Sequence, residues 1–177
     1  MIFTLIGMPG SGKSCMGRAI AGKLKMKHID TDKLITKKYG KPLAELISEL
    51  GNEGFSRIEE ETLLSIEGDN LILSTGGSAV YSERAMEHLR SKGKLIYLYC
   101  GYVELKKRLG DLEKRGVIMK PGMTLRDLFE ERTPLYSKYA DITVICDGNS
   151  YTKYQAAVIN AIKRAKASAA GQAESNS

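Results

Sequence analysis

The chain has 177 residues, 42% hydrophobic and 27% charged, with 27 basic and 21 acidic side chains for a formal net charge of +6. That length and balance fit one globular domain with a real core, and exclude a fibrous or disordered chain. No apolar run approaches the ~18 residues a membrane span needs, and MIFTLIGMPG has no basic region before its short apolar stretch, so no signal peptide is expected.

IFTLIG (2–7) has the continuous apolar character of a buried strand, followed by a glycine-rich turn and a helix from Lys13 to Leu24. KHIDTD (27–32) suggests a second strand running into a loop. LAELISEL (43–50) has helical spacing, and GFSRIEEE (54–61) looks like the start of another helix. LILST (71–75), LIYLYC (95–100) and DITVIC (141–146) are further buried strands. Between them, SERAMEHLRSKG (82–93), VELKKRLGDL (103–112) and TLRDLFEER (124–132) are amphipathic helices. In 110–123, glycines and a proline interrupt charged sequence, as in a mobile lid. A last helix spans Tyr151 to Lys166, and the small polar residues 167–177 predict a disordered tail. Strands alternating with helices predict a single three-layer α/β domain over 1–166, a parallel five-stranded sheet covered on both faces.

The basic residues fall in scattered groups (Lys23, Lys25, Lys27; Lys106, Lys107, Arg108; Lys163, Arg164, Lys166) without interleaved aromatics. They predict solvated helix faces suited to anionic small molecules, with nucleic acid and membrane not expected as partners. Cys15, Cys100 and Cys146 form no CxxC pair, which argues against a zinc site or a disulfide framework and fits a reducing cytoplasm.

The chemistry starts at GMPGSGKS (7–14), which fits G-x-x-x-x-G-K-[ST] between a strand and a helix. Gly7, Gly10 and Gly12 let backbone N–H groups around Ser11 close on phosphate oxygens, and the helix N-terminus adds its positive dipole end. Lys13 reaches the β and γ phosphates of a nucleoside triphosphate, and the Ser14 hydroxyl ligates Mg²⁺. Cys15 adjoins this nucleotide site, its thiol expected to pack inside the helix. Asp30 and Asp32 are two apart at a strand end, where both carboxylates can face one site. One would hold the metal through its water shell and the other would take a proton from an attacking hydroxyl, unless Asp32 only caps the next helix. In STGGSAV (74–80), Gly76 and Gly77 let a ligand approach the backbone, or simply turn the chain. Arg57 either pairs with Glu60 or Glu61 at helical spacing or holds an anionic substrate.

In this order, the phosphate loop, Asp-x-Asp at 30–32, Gly-x-x-x-Phe then Ile-Glu-Glu at 51–60, Thr-Gly-Gly at 75–77 and Arg-x-Pro-Leu-Tyr at 132–136 resemble the shikimate kinase family over residues 2 to 165. The resemblance implies a P-loop kinase fold with a mobile lid, ATP and Mg²⁺, a cytoplasmic monomer, and phosphorylation of the 3-hydroxyl of shikimate in aromatic amino acid biosynthesis. By position it implies that Asp32 is the base that orients the acceptor hydroxyl and that Asp30 lies near the metal. Gly76 and Gly77 become backbone contacts to the acceptor, Arg132 binds its carboxylate, and Arg115 or Lys114 stacks on adenine.

The departures fall on the acceptor. Ser56 stands where the family has a carboxylate-clamping arginine, with Arg57 one position, about 100°, round the helix. Glu59 matches an acid that supports that missing arginine. Ser78 replaces a third glycine, and Lys120 of Lys120-Pro121-Gly122-Met123 takes the place of a lid arginine that touches the transferring phosphate. Lysine supplies charge but no bidentate fork. The expectations are therefore a shikimate kinase with a clamp rebuilt from Arg132 and Arg57, a kinase of the same fold for another small hydroxylated acceptor that also uses Ser56 and Ser78, or a nucleotide-binding regulatory relative without catalysis.

Overall fold

The structure, a computed structural model, describes residues 1–109, 117–120, 122–148 and 150–174. Five strands, β1 (Ile2–Ile6), β2 (Lys27–Asp30), β3 (Leu71–Ser74), β4 (Gly93–Tyr99) and β5 (Ile142–Ile145), form one parallel sheet in the order β2-β3-β1-β4-β5. Among the described residues seven α-helices pack around it: α1 (Lys13–Leu24), α2 (Thr31–Tyr39), α3 (Leu43–Leu64), α4 (Glu83–Lys92), α5 (Tyr102–Arg108), α6 (Leu125–Tyr139) and α7 (Tyr151–Glu174).

Strand side chains alternate between the two faces, and the core divides accordingly. Ile2 and Ile6 of β1, with Leu71, Leu73, Leu95 and Tyr97, pack under α3, α4 and α6 through Leu63, Met86, Leu89, Leu128 and Tyr136. Phe3 and Leu5, with Ile72, Ile96 and Leu98, pack under α1 and α7 through Met16, Ile20, Val158 and Ile162. Every residue of β1 is buried, which is why IFTLI is apolar almost throughout. Ile20→Ala would open a cavity in the second face at a cost of about 2–5 kcal/mol. A third cluster, Ile35, Leu46, Phe55 and Ile118, ties α2 and α3 to the segment before α6.

The helices differ from the sequence expectation in four places. The 43–50 helix and the helix of GFSRIEEE are one element, α3, kinked at Gly51, whose φ of 69° only glycine adopts readily. α6 runs through Pro134 to Tyr139. Its entry is fixed by a capping box in which Thr124 and Asp127 bond each other's backbone N–H. α7 continues to Glu174, so the tail expected to be disordered from 167 is helical that far. Its run of alanines after Lys166 favours helix, and small polar composition understates that propensity. Asp32 lies in the first turn of α2, not on the strand.

Candidate active site

The carboxyl ends of β1, β2 and β3 share one edge of the sheet, and the loop after β1 opens the site there. Gly10 and Gly12 hold positive φ of 76° and 96°. A Cβ on Gly10 would stand 2.7 Å from Leu109 Cγ. Gly12 begins α1 without any side-chain cap, so the first N–H groups of the helix are left for a ligand. Lys13, almost wholly buried, arches back to donate from Nζ to Gly7 O (2.7 Å) and Met8 O (2.9 Å). Burial pushes its ammonium down to about 8, against the pull of the Asp32 charge. The buried Ser11 Oγ has no hydrogen-bond partner.

The loop borders a cleft of about 490 Å³ whose lining includes Lys13, Ser14, Asp32, Thr75 and Gly77. A glycine cradle, an orphaned buried hydroxyl, a capped-back lysine and a free helix N-terminus together fit a polyphosphate. Two oxygen donors are at hand: the exposed Ser14 hydroxyl lines the cleft, and the Asp30 carboxylate acts on Lys13 through its charge. Among the described residues no cluster of three or more acidic, His or Cys side chains forms a metal cage. One or two protein oxygens fit Mg²⁺, which keeps its waters and takes phosphate oxygens for the rest.

The far side of the cleft is built from side chains. Asp30, the last residue of β2, caps α2 by accepting from Lys33 N (3.3 Å). Two residues on, Asp32 is turned inward by the helix, where burial pushes its carboxyl up to about 6 while Lys13 pulls it down. Both carboxylates feel Lys13, but through a capped helix start and not along an extended segment.

Gly76 donates to Thr31 Oγ1 (3.2 Å), fixing the turn after β3 to α2. A Cβ on Gly76 would overlap Glu59 Oε1 and lie 2.9 Å from Asp32 Oδ1, so two carboxyl groups converge over bare backbone. A Cβ on Gly77 would lie 2.7 Å from Pro9 Cδ of the phosphate loop and 3.1 Å from Arg132 Nη1. Tyr136 donates to Gly77 O (2.6 Å) and locks that turn against α6. Glu59 is buried on α3; burial pushes its carboxyl up to about 7, and a hydrogen bond with Ser78 opposes the shift. Arg132 is only 1% exposed. Its Nε donates to Tyr81 Oη (3.0 Å) and its Nη2 to Ile118 O (2.6 Å), with the guanidinium 4.9 Å from the Tyr81 ring.

Among the residues expected at the site, Gly10, Gly12, Lys13, Ser14, Cys15, Asp32 and Gly77 line the cleft, with Gly76 and Arg132 at its border. Cys15 is exposed on the open side of α1 and not packed. Ser56, Arg57, Glu59 and Ser78 line a neighbouring cavity of about 370 Å³ with Tyr81 and Arg84. The expected pairing of Arg57 with Glu60 or Glu61 does not form. Glu60 is taken by Arg84 (3.2 Å) and Ser82, and Arg57 is exposed at the cavity. Lys120 pairs with Glu131 (3.5 Å). Arg115, Lys114 and most of the expected lid lie outside the described residues.

Two side chains escaped the sequence reading. Arg18 lines the cleft, and its place one helical turn after Ser14 was a usable signal. Tyr81, in a single 3₁₀ turn (Ala79–Tyr81), had none, because its contact with Arg132 joins residues 51 apart.

The family model for shikimate kinase matches residues 9–163. A shikimate kinase of Francisella tularensis subsp. novicida is 35% identical over 148 residues, 81% of this chain and 84% of the relative. One of Vibrio cholerae is 35% identical over 149 residues, 82% and 86% of the two chains. In structure, the shikimate kinase from Acinetobacter baumannii in complex with shikimate superposes with a TM-score of 0.82 at 27% identity, covering 92% of this chain and 93% of that one. With these relatives, this sheet order and this phosphate loop, the chain belongs to the shikimate kinase family.

Proposed function

We propose that the protein transfers the γ-phosphoryl group of ATP to the 3-hydroxyl of shikimate, as a cytoplasmic monomer with a small-molecule acceptor as its partner. The observation that carries this reading is the Asp32 carboxyl, half-buried beside Lys13 and facing the bare backbone of Gly76. A hydroxyl lying on that backbone gives its proton toward Asp32 while its oxygen attacks the phosphorus in line, and ADP leaves. Lys13 exchanges its two loop carbonyls for phosphate oxygens, the backbone N–H groups of 10–14 hold the β-phosphate, and Arg18 adds charge at the cleft mouth. Ser14 and Asp30 would hold Mg²⁺, which neutralises charge on the β and γ oxygens.

For the acceptor carboxylate, Arg132 Nη1 over Gly77 is the first contact. Arg57, with no acidic partner among the described residues and exposed at the cavity beside Ser56 and Ser78, is the second. Lys120 is free to leave its exposed pair with Glu131 when a lid closes, since such pairs contribute little. A second acceptor class, small polyhydroxy acids other than shikimate, is favoured by one observation: Glu59 is hydrogen-bonded by the Ser78 hydroxyl, while Arg132 and Lys13 act on it through charge alone. An ATP-consumption panel with shikimate, quinate, gluconate and homoserine separates the two. Turnover of shikimate well above the others is expected. Preference for another acid would replace shikimate as the substrate.

A further inference from the structure

Arg132 is the largest wholly buried side chain among the described residues, and a buried guanidinium needs its hydrogens matched. Its direction is set from one side by Tyr81. The Tyr81 hydroxyl has one hydrogen to give, and it donates to the Glu131 carboxylate. The lone pair left over accepts from Arg132 Nε at 3.0 Å, and the ring lies beneath the guanidinium at 4.9 Å. On the opposite side Nη2 is anchored at Ile118 O. A planar group held at Nε, at Nη2 and across its face cannot rotate; the Tyr136 hydroxyl, itself on Gly77 O, also bonds this guanidinium, and the remaining nitrogen, Nη1, lies over Gly77.

We propose that Tyr81 is a positioning residue for acceptor recognition: with Glu131 behind it, it fixes the Arg132 guanidinium so that Nη1 is presented to the acceptor's carboxylate over Gly77. The inference rests on the reading that Arg132 meets that carboxylate. The bidentate and stacked geometry explains why the position takes arginine, since lysine has neither a fork nor a plane to hold. Tyr81 touches no reacting atom, so its effect belongs to acceptor affinity and not to the chemical step.

Steady-state kinetics on Tyr81→Phe, Tyr81→Leu, Arg132→Lys and the Tyr81→Phe/Arg132→Lys double variant test this. Tyr81→Phe keeps the ring and loses the hydroxyl. It is expected to raise KM for shikimate about 3- to 12-fold, the net scale of one ordinary hydrogen bond, since Tyr81 acts on the acceptor only through Arg132, with kcat and KM for ATP within about twofold. Tyr81→Leu should raise KM further, so that Phe restores part of the loss. In the Arg132→Lys background, Tyr81→Phe should add nothing, because its target is gone. If Arg132→Lys raises KM for shikimate and Tyr81→Phe leaves it unchanged, the positioning role is wrong while the reading of Arg132 stands. If Arg132→Lys leaves KM unchanged, the reading of Arg132 itself fails. Equal rises in KM for shikimate and ATP, or additive effects in the double variant, would mark Tyr81 as merely structural and overturn the proposal.

Discussion

The two halves of the cleft are built on different terms. The phosphate half is contiguous: eight residues, 7–14, supply glycine geometry, helix N-terminus, lysine and hydroxyl from one loop. Its ligands are largely backbone N–H groups, which any sequence able to adopt the loop presents. On the proposed reading the acceptor half is assembled from α2 (Asp32), α3 (Ser56, Arg57, Glu59), the turn after β3 (Gly76, Gly77, Ser78) and α6 (Arg132). Recognition there would rest on side chains, so a single substitution such as arginine to Ser56 would change the ligand set without disturbing the fold. The halves meet where Pro9 touches Gly77 and where Asp32 lies between Lys13 and Gly76.

The largest expected effect falls at that meeting point. Asp32→Asn should lower turnover at least ~10²-fold, the scale of a lost general base, while calorimetry shows ATP binding nearly unchanged. A fully active variant would remove Asp32 from the chemistry. In the intact protein, kcat should fall as pH drops through about 6, since burial has raised the carboxyl to that value and only its ionised form accepts a proton.

Next in size is the energetic consequence of Glu59. Its folded pKa of about 7 lies above the ordinary 4.5, so the folded state holds the proton more tightly. The stabilisation this gives is complete below pH 4.5 and is lost as pH rises through 7. Glu59→Gln should therefore be more stable than the parent at pH 8, by up to about 3 kcal/mol. That advantage should disappear near pH 4, and thermal unfolding at the two pH values checks it. An equal difference at both would show that Glu59 keeps its charge compensated.

Smaller again, Ser56→Arg tests whether the acceptor half lacks a contact. A new arginine–carboxylate pair is worth roughly 1.5–3 kcal/mol, so KM for shikimate should drop about tenfold or more. No change would mean that Arg57 already fills the role. If the acceptor half does lack that contact, Arg57→Ala should raise KM only a few-fold, because an exposed charge contributes little. A rise of tenfold or more would make Arg57 the principal clamp.

This asymmetry also governs what the sequence made legible. The sheet, its five strands and the phosphate loop follow from local patterns: apolar runs bounded by glycines, and a motif in one strand–turn–helix unit. Helix continuity was harder to see, because α3 passes a left-handed glycine at 51 and α6 contains Pro134, residues that usually end helices. In the site, Lys13 and Asp32 were legible by position, though the inward turn of Asp32 comes from α2 and not from strand alternation. What stayed hidden is what three-dimensional neighbours decide. Glu60 goes to Arg84 instead of Arg57, Glu59 is held by Ser78, and Tyr81 reaches Arg132 across 51 residues.

The central claim, that a phosphate half of ordinary build serves an altered acceptor half that still takes shikimate, is tested most directly by phosphorus NMR of the product formed from ATP, Mg²⁺ and shikimate. Stoichiometric ADP and shikimate 3-phosphate are predicted. ADP with free phosphate, or an unreacted ATP signal alongside active turnover of another hydroxylated acid, would contradict it.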